Sequence, residues 1–247
     1  MFNKKLNLKK IVLLIIISLT IFSCDQEIDL TFSEINFEKI QNAIIDINVP
    51  NAEGDIDVSE SINSTIANFI VNTISFSEDS LINISLNEAV IKFDSIYIAF
   101  KEDFEENSLV WEALIDGEVI YQSPAITCIA INSYLNTGGA HGNMTISFLN
   151  FNSQTGQLLL IDDYIKNRPD FIKLAEEYFN IELQESSDET NFDDYFFGED
   201  FHLPENIGFS DDGVILLYNV YEIAPYSEGI TEFTIPFEEV LQYLRLN

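Results

Sequence analysis

With 42 acidic against 11 basic side chains in 247 residues, the chain carries a formal charge of −31, and a surface of that sign repels phosphate backbones and anionic lipid headgroups. That sets nucleic acid aside as a partner and favours cationic ones, although screening limits the attraction to about 8 Å at physiological salt, so it steers encounters more than it holds complexes. Solubility alone also accounts for an acid excess, and the length suffices for one large domain or two small ones with a proper core.

Met1 to Ser23 has the layout of an export signal. Lys4, Lys5, Lys9 and Lys10 form a positive start, and Ile11 to Phe22 is an apolar run too short to span a bilayer, which takes about 20 residues. It ends in Ile21-Phe22-Ser23-Cys24, a small residue before a cysteine, which looks like a lipobox. The expectation is cleavage before Cys24 and lipid attachment on its sulfur, giving a lipoprotein anchored in the cell envelope and facing the periplasm or exterior. Cleavage leaves 224 residues and, since the leader holds four of the Lys+Arg and none of the Asp+Glu, a formal charge of about −35. Cys128 is then without a disulfide partner. Flanked by Ile, Thr and Ala, it reads as a small buried hydrophobe rather than a nucleophile.

Along the mature chain, Asp25 to Ser33 reads as an acidic tether. Ile40 to Val49 alternates as a strand ended by Pro50, and Asn51-Ala52-Glu53-Gly54 has turn chemistry. Ile62, Ile66, Phe69, Ile70 and Ile74 recur at helical spacing, with Asp57 and Glu60 as a capping pair. Leu86, Ala89, Val90, Phe93, Ile96, Tyr97, Phe100 and Phe104 trace the face of a second helix, capped by Ser85 and Glu88, that should lie across a sheet. Leu109 to Ile115 and Glu118 to Gln122 flank Asp116-Gly117 as a hairpin, with Trp111 half-buried. Ile126 to Leu135 is a strand. Thr145 to Phe151 and Leu158 to Ile161 form a hairpin around Gln154-Thr155-Gly156. Pro169 to Leu183 is a helix turning Phe171, Leu174, Ala175, Tyr178 and Phe179 inward. Glu185 to Asp194 reads as a loop. Ile207 to Phe209 and Val214 to Val220 flank Asp211-Asp212-Gly213, Ile230 to Ile235 is a strand, and a closing helix starts near Pro236. Hairpins beside segregated helices predict an α+β fold of mainly antiparallel sheets, with helices packed on one face and two sub-domains in series. The expected boundaries are a signal at 1–23, a tether at 24–33, an N-terminal sub-domain at 34–135 and a C-terminal one at 136–247.

The loop after Val220, from Tyr221 to Gly229, departs from ordinary loop chemistry. In place of Gly, Asn, Asp and Ser it sets two tyrosines and two carboxylates around Pro225, rigid aromatic surface that suits recognition. Packing of Tyr221 and Tyr226 as a lid on the core is the competing reading. Thr137-Gly138-Gly139-Ala140-His141-Gly142-Asn143, Asn152-x-x-Thr155-Gly156, Leu160-x-Asp162-Asp163, Asp212-Gly213 and Tyr221-Glu222-Ile223-Ala224-Pro225-Tyr226-x-x-Gly229 occur in that order. From Tyr134 to Leu244 the chain resembles the domain of unknown function shared by the C-terminal part of the lysozyme-sensing anti-sigma factor RsiV and the non-catalytic region of the peptidoglycan deacetylase PdaC. Residues before Tyr134 resemble the companion N-terminal domain more loosely.

The resemblance implies a non-catalytic binding lipoprotein whose ligand is a cationic muramidase such as lysozyme, or wall glycan (peptidoglycan). Contacts are expected from Tyr221, Glu222, Pro225 and Tyr226, with the His141 loop beside them. The anchor contrasts with the transmembrane helix of RsiV, so signalling across a membrane is not implied. No cofactor, metal site or catalytic residue is expected. His141 and His202 lie far apart and fit no metal-ligand spacing. The loop around His141 lacks the Lys-Ser/Thr of a phosphate loop, and its glycines suit a tight turn packed against a strand, with the histidine bonded to backbone. The acid pairs fit no calcium-loop pattern, with Asp188 to Asp194 the nearest approach. The alternatives are an enzyme that modifies an envelope polymer and a structural envelope lipoprotein.

Overall fold

The computed structural model describes residues 30–40, 42–75, 84–104, 109–186 and 195–245. The leader, Cys24 and Asp188 to Asp194 lie outside the described residues. Two sheets and the helices beside them build the expected α+β fold. The first sheet has five strands in the order β1 (Thr31–Ile40), β2 (Ile44–Glu53), β3 (Glu112–Gln122), β4 (Ile126–Asn136) and β5 (Asn143–Asn152). Its pairs are antiparallel except β2 with β3, which run parallel. A parallel pair needs a crossover, and two helices provide it: α1 (Ile56–Ile74) and α2 (Leu86–Asp103).

Both helices follow their apolar period. On α1, Val58, Ile62, Ile66, Ile70 and Ile74 are buried. On α2, Ala89, Val90, Phe93 and Tyr97 are buried, and all of these join Ile45, Ile47, Ala113, Ile115, Ile129 and Ile131 of the sheet in one core. The Ser85–Glu88 capping box forms as expected. The α1 cap is instead Asp55, whose carboxylate accepts the N–H groups of Asp57 and Val58, so Asp57 stands inside the first turn. Trp111 is buried, just before β3, against the rings of Phe93, Tyr97 and Phe100.

Four expectations need correction here. The first strand is β1, starting at Thr31 inside the supposed tether. It makes a hairpin with β2, which runs through Pro50 to Glu53 rather than turning there. Asp116-Gly117 does not turn either; β3 passes straight through it. Pro50 has no N–H for the ladder, so pairing with β3 ends at Asn48 opposite Asp116. Gly117 then sits where a Cβ would come 3.0 Å from Pro50 Cδ and 3.3 Å from Val49 Cγ1: the glycine permits close passage, not a bend. Finally, β5 hydrogen-bonds to β4 along its length, so the five-stranded sheet continues across the boundary drawn between 135 and 136.

Asp94 is a charged residue on the buried side of α2. Its carboxylate accepts the backbone N–H groups of Ala43 at 2.9 Å and Asn42 at 3.3 Å, and the Asn42 side-chain amide at 3.1 Å, closing the β1–β2 turn. Burial pushes this carboxyl up, but those bonds and Lys39 outweigh it and hold it below the usual aspartate value. A depressed folded value gives stability that is present above the ordinary range near about 4 and is lost as pH falls below it. Asp94→Ala is expected to lower unfolding stability by about 2 kcal/mol. Urea unfolding at pH 7 checks this, and the gap to the parent protein should narrow on acidification.

The second sheet is β6 (Asn206–Phe209), β7 (Gly213–Tyr218) and β8 (Thr231–Pro236), antiparallel throughout, with the expected Asp211-Asp212-Gly213 hairpin. Helix α4 (Arg168–Ser186) packs on it with Phe171, Ala175 and Phe179 buried. Between β5 and α4, Phe151–Leu158 is a single bridge rather than a strand pair, and Ile161–Tyr164 is a helical turn, α3. The closing helix is shorter than expected: α5 (Phe237–Val240), then a tighter turn at Leu241–Tyr243.

β4 ties the two cores together. Ile126 to Ile131 is buried at every position, the mark of a strand covered on both faces. Ile129 and Ile131 face the first core, while Ile126 and Cys128 face the second. Asn150 of β5 donates to the Ile207 carbonyl of β6 at 2.7 Å. Burial pushes the Cys128 thiol up to about 12, against a hydrogen bond from Phe209 N–H, as suits an inert packing residue. Among the described residues no helix is long and apolar enough to cross a membrane.

Candidate functional site

The tip of the second sheet is built from its base upward. β7 ends at Tyr218, whose hydroxyl donates to the His202 carbonyl at 2.6 Å. The next residue, Asn219, presents its side chain to the free edge of β5. Its Oδ1 accepts Ile146 N–H at 2.8 Å and its Nδ2 donates to the Ile146 carbonyl at 2.9 Å. One amide thus supplies both bonds that a neighbouring strand would make. Glu222 closes the turn: its carboxylate accepts Asn219 N–H at 2.8 Å and Glu205 N–H at 2.9 Å. Ile223 and Ala224 are buried as a plug, and the Ile223 carbonyl accepts Phe196 N–H at 2.6 Å. Between these anchors Tyr221 takes φ +69°, a left-handed conformation that costs a non-glycine residue about 1–2 kcal/mol.

On that base the aromatic rings face outward. Tyr221 is 54% exposed and Tyr226 46%, so the lid reading is excluded. Tyr226 begins a short 3₁₀ turn after Pro225. Its ring stacks on His141 at 4.7 Å between centroids and lies 5.5 Å from Tyr221. The His141 loop reaches this position from the β4–β5 connection. His141 Nδ1 lies 2.9 Å from the Gly142 carbonyl, and Gly142 is pressed so closely on Tyr134 of β4 that a Cβ would overlap the ring. The structure therefore brings together Tyr221, Tyr226 and His141, with Pro225 exposed beside them. Glu222 is different. Both of its oxygens are used on backbone N–H groups, so it shapes the turn. Asn219 went unrecognised as the bracket, because nothing local to it in sequence points to Ile146.

The other candidates stay dispersed. His202 is exposed and Asp211 and Asp212 point to solvent. Asp162 lies 3.5 Å from Arg168, while Asp163 accepts the Leu160 N–H. Among the described residues no group of three or more His, Cys, Asp or Glu is arranged to hold a metal ion.

Fold and site together define a two-sheet α+β protein with an aromatic tip raised on hydrogen-bonded supports. Residues 156–238 match the model of a protein family of unknown function, DUF3298, and residues 37–144 match the model described as Deacetylase PdaC. The two matches together support the DUF3298/PdaC-shared domain family. The junction between the two matches falls on β5. Among solved structures, a DUF3298 family member from Bacteroides fragilis NCTC 9343 is similar with a TM-score of 0.68 at 20% identity, covering 88% of this chain and 94% of its own. A DUF3298 family protein from Pseudomonas aeruginosa PAO1 is similar with a TM-score of 0.62 at 19% identity, covering 90% of this chain and 96% of its own. At that identity the likeness establishes the fold. No curated protein sequence matches the chain.

Proposed function

We propose that this chain is a non-catalytic extracytoplasmic binding lipoprotein, anchored through Cys24, that captures a cationic protein of the lysozyme class with the tip formed by Tyr221, Pro225, Tyr226 and His141. The observation that carries the reading is the exposed His141–Tyr226–Tyr221 stack on a turn pinned by Asn219 and Glu222. Aromatic side chains held in place before contact lose little entropy on binding and suit interface hot spots. The formal charge of about −35 left after cleavage adds steering toward a basic partner. The resemblance to the lysozyme-sensing family favours lysozyme as the ligand, and the apolar leader followed by Cys24 favours the anchor.

The test is a titration of the full chain, held in non-ionic detergent, with lysozyme at rising salt. Binding should be tightest at low ionic strength and weaken steadily with salt, without vanishing at 0.15 M, where the Debye length is about 8 Å. No binding at low salt contradicts the reading. Retention on insoluble peptidoglycan in place of lysozyme would transfer the tip to a glycan ligand.

A further inference from the structure

The first sheet offers a second surface on the face away from α1 and α2. Alternation buries Ile45 and Ile47 and turns Asp46 and Asn48 outward. The register then lines up side chains across four strands. Asn36 lies opposite Asn48, Asn48 opposite Asp116, and Asp116 opposite Asn132. Two residues along, Asp46 lies opposite Leu114, Leu114 opposite Tyr134, and Tyr134 opposite Met144. An amide and carboxylate row thus runs beside a largely apolar one, and the two line a groove of about 360 Å³.

Packing does not account for this pattern. Leu114 and Met144 are 38% and 50% exposed, although the apolar core lies on the other side of the sheet. Asp46 stands directly opposite Glu38 on β1, a like-charge pair that weakens a sheet. No lysine or arginine lines the groove. Asn48 donates to Asp116 at 3.2 Å, while its Oδ1, beneath the groove surface, takes no hydrogen bond.

We propose that this groove binds an amino sugar: a polyhydroxylated ring bearing a protonated amine. Hydroxyl groups both donate and accept, as the amides of Asn36, Asn48 and Asn132 do. The amine would be drawn to Asp46 and Asp116, where the groove holds no cation of its own. The C–H face of the ring fits the strip formed by Leu114, Tyr134 and Met144. A basic peptide uses the carboxylates but leaves the amide N–H₂ donors idle. A peptide backbone would seek a strand edge rather than a sheet face. The groove adjoins the aromatic tip, since Gly142 of the His141 loop packs on Tyr134, but Tyr221, Pro225, Tyr226 and His141 do not line it, and its test does not depend on that reading.

The experiment is calorimetric titration of the full chain in non-ionic detergent with glucosamine tetramer, its N-acetylated counterpart and tetralysine. The glucosamine oligomer should bind at least about tenfold more tightly than either of the others, and Asp116→Asn with Asp46→Asn should weaken it by about tenfold or more, the scale of a lost charged hydrogen bond. Tyr226→Ala should leave that affinity unchanged. Absence of binding, equal binding of the acetylated oligomer, stronger binding of tetralysine, or indifference to the two substitutions would each overturn the proposal.

Discussion

Phe179→Ala is expected to lower the unfolding free energy by about 3–5 kcal/mol, the range for emptying a phenylalanine site in a core. Phe179 is fully buried on α4. Its ring centroid lies between 5.2 and 6.0 Å from those of Phe196, Tyr195, Phe201, Tyr218 and Phe233. Five rings held at edge-to-face or tilted angles cannot all close on the space left behind, so most of the cavity persists. The consequence should reach beyond the second core. β4 is packed on both faces, and Trp111, the only tryptophan of the chain, is buried in the first core. Urea unfolding followed by Trp111 fluorescence and by far-ultraviolet circular dichroism should therefore shift together. A loss under about 1 kcal/mol would contradict the persistent cavity, and a shift in circular dichroism alone would show that the two cores are not coupled through β4.

The second large effect concerns binding. Tyr226→Ala combined with Tyr221→Ala should weaken capture of lysozyme by about 30-fold or more, the scale of a hot-spot truncation, while stability changes by no more than about 0.5 kcal/mol, as for exposed positions. The separation follows from the construction of the tip. The rings stand outside, whereas the supports are Asn219 and Glu222, bonded to Ile146 and Glu205. His141→Ala removes one side of the stack and should produce a smaller loss. Unchanged affinity in the double variant, with folding intact, would remove the tip from the interface.

How much of this was legible in the sequence depended on whether the determining contacts were local. The α2 helix announced itself because Ser85 and Glu88 cap each other three residues apart, and Asp211-Asp212-Gly213 marked its hairpin because β6 and β7 are neighbours in the chain. β1 was missed: most of its side chains are exposed on an edge strand, and only Phe32 and Phe37 lean on the core. Asp116-Gly117 misled because the reason for the glycine is Pro50, 67 positions earlier in numbering and brought close by a parallel pairing that local chemistry does not signal. The tip divided in the same way. Its aromatic content was plain, but Glu222 looked like a contact residue until its bonds to Asn219 and Glu205 were visible. Neighbourhood of the His141 loop was anticipated through the family resemblance, whereas the 4.7 Å stack on Tyr226 needed the fold.

The most direct test of the central claim is a hydrogen-exchange footprint of the full chain with saturating lysozyme at low salt. Slowed exchange should concentrate on the backbone from 219 to 229 and from 137 to 142, leaving α1 and α4 unchanged. Protection that spares both segments would contradict the claim that this tip is where the partner is held.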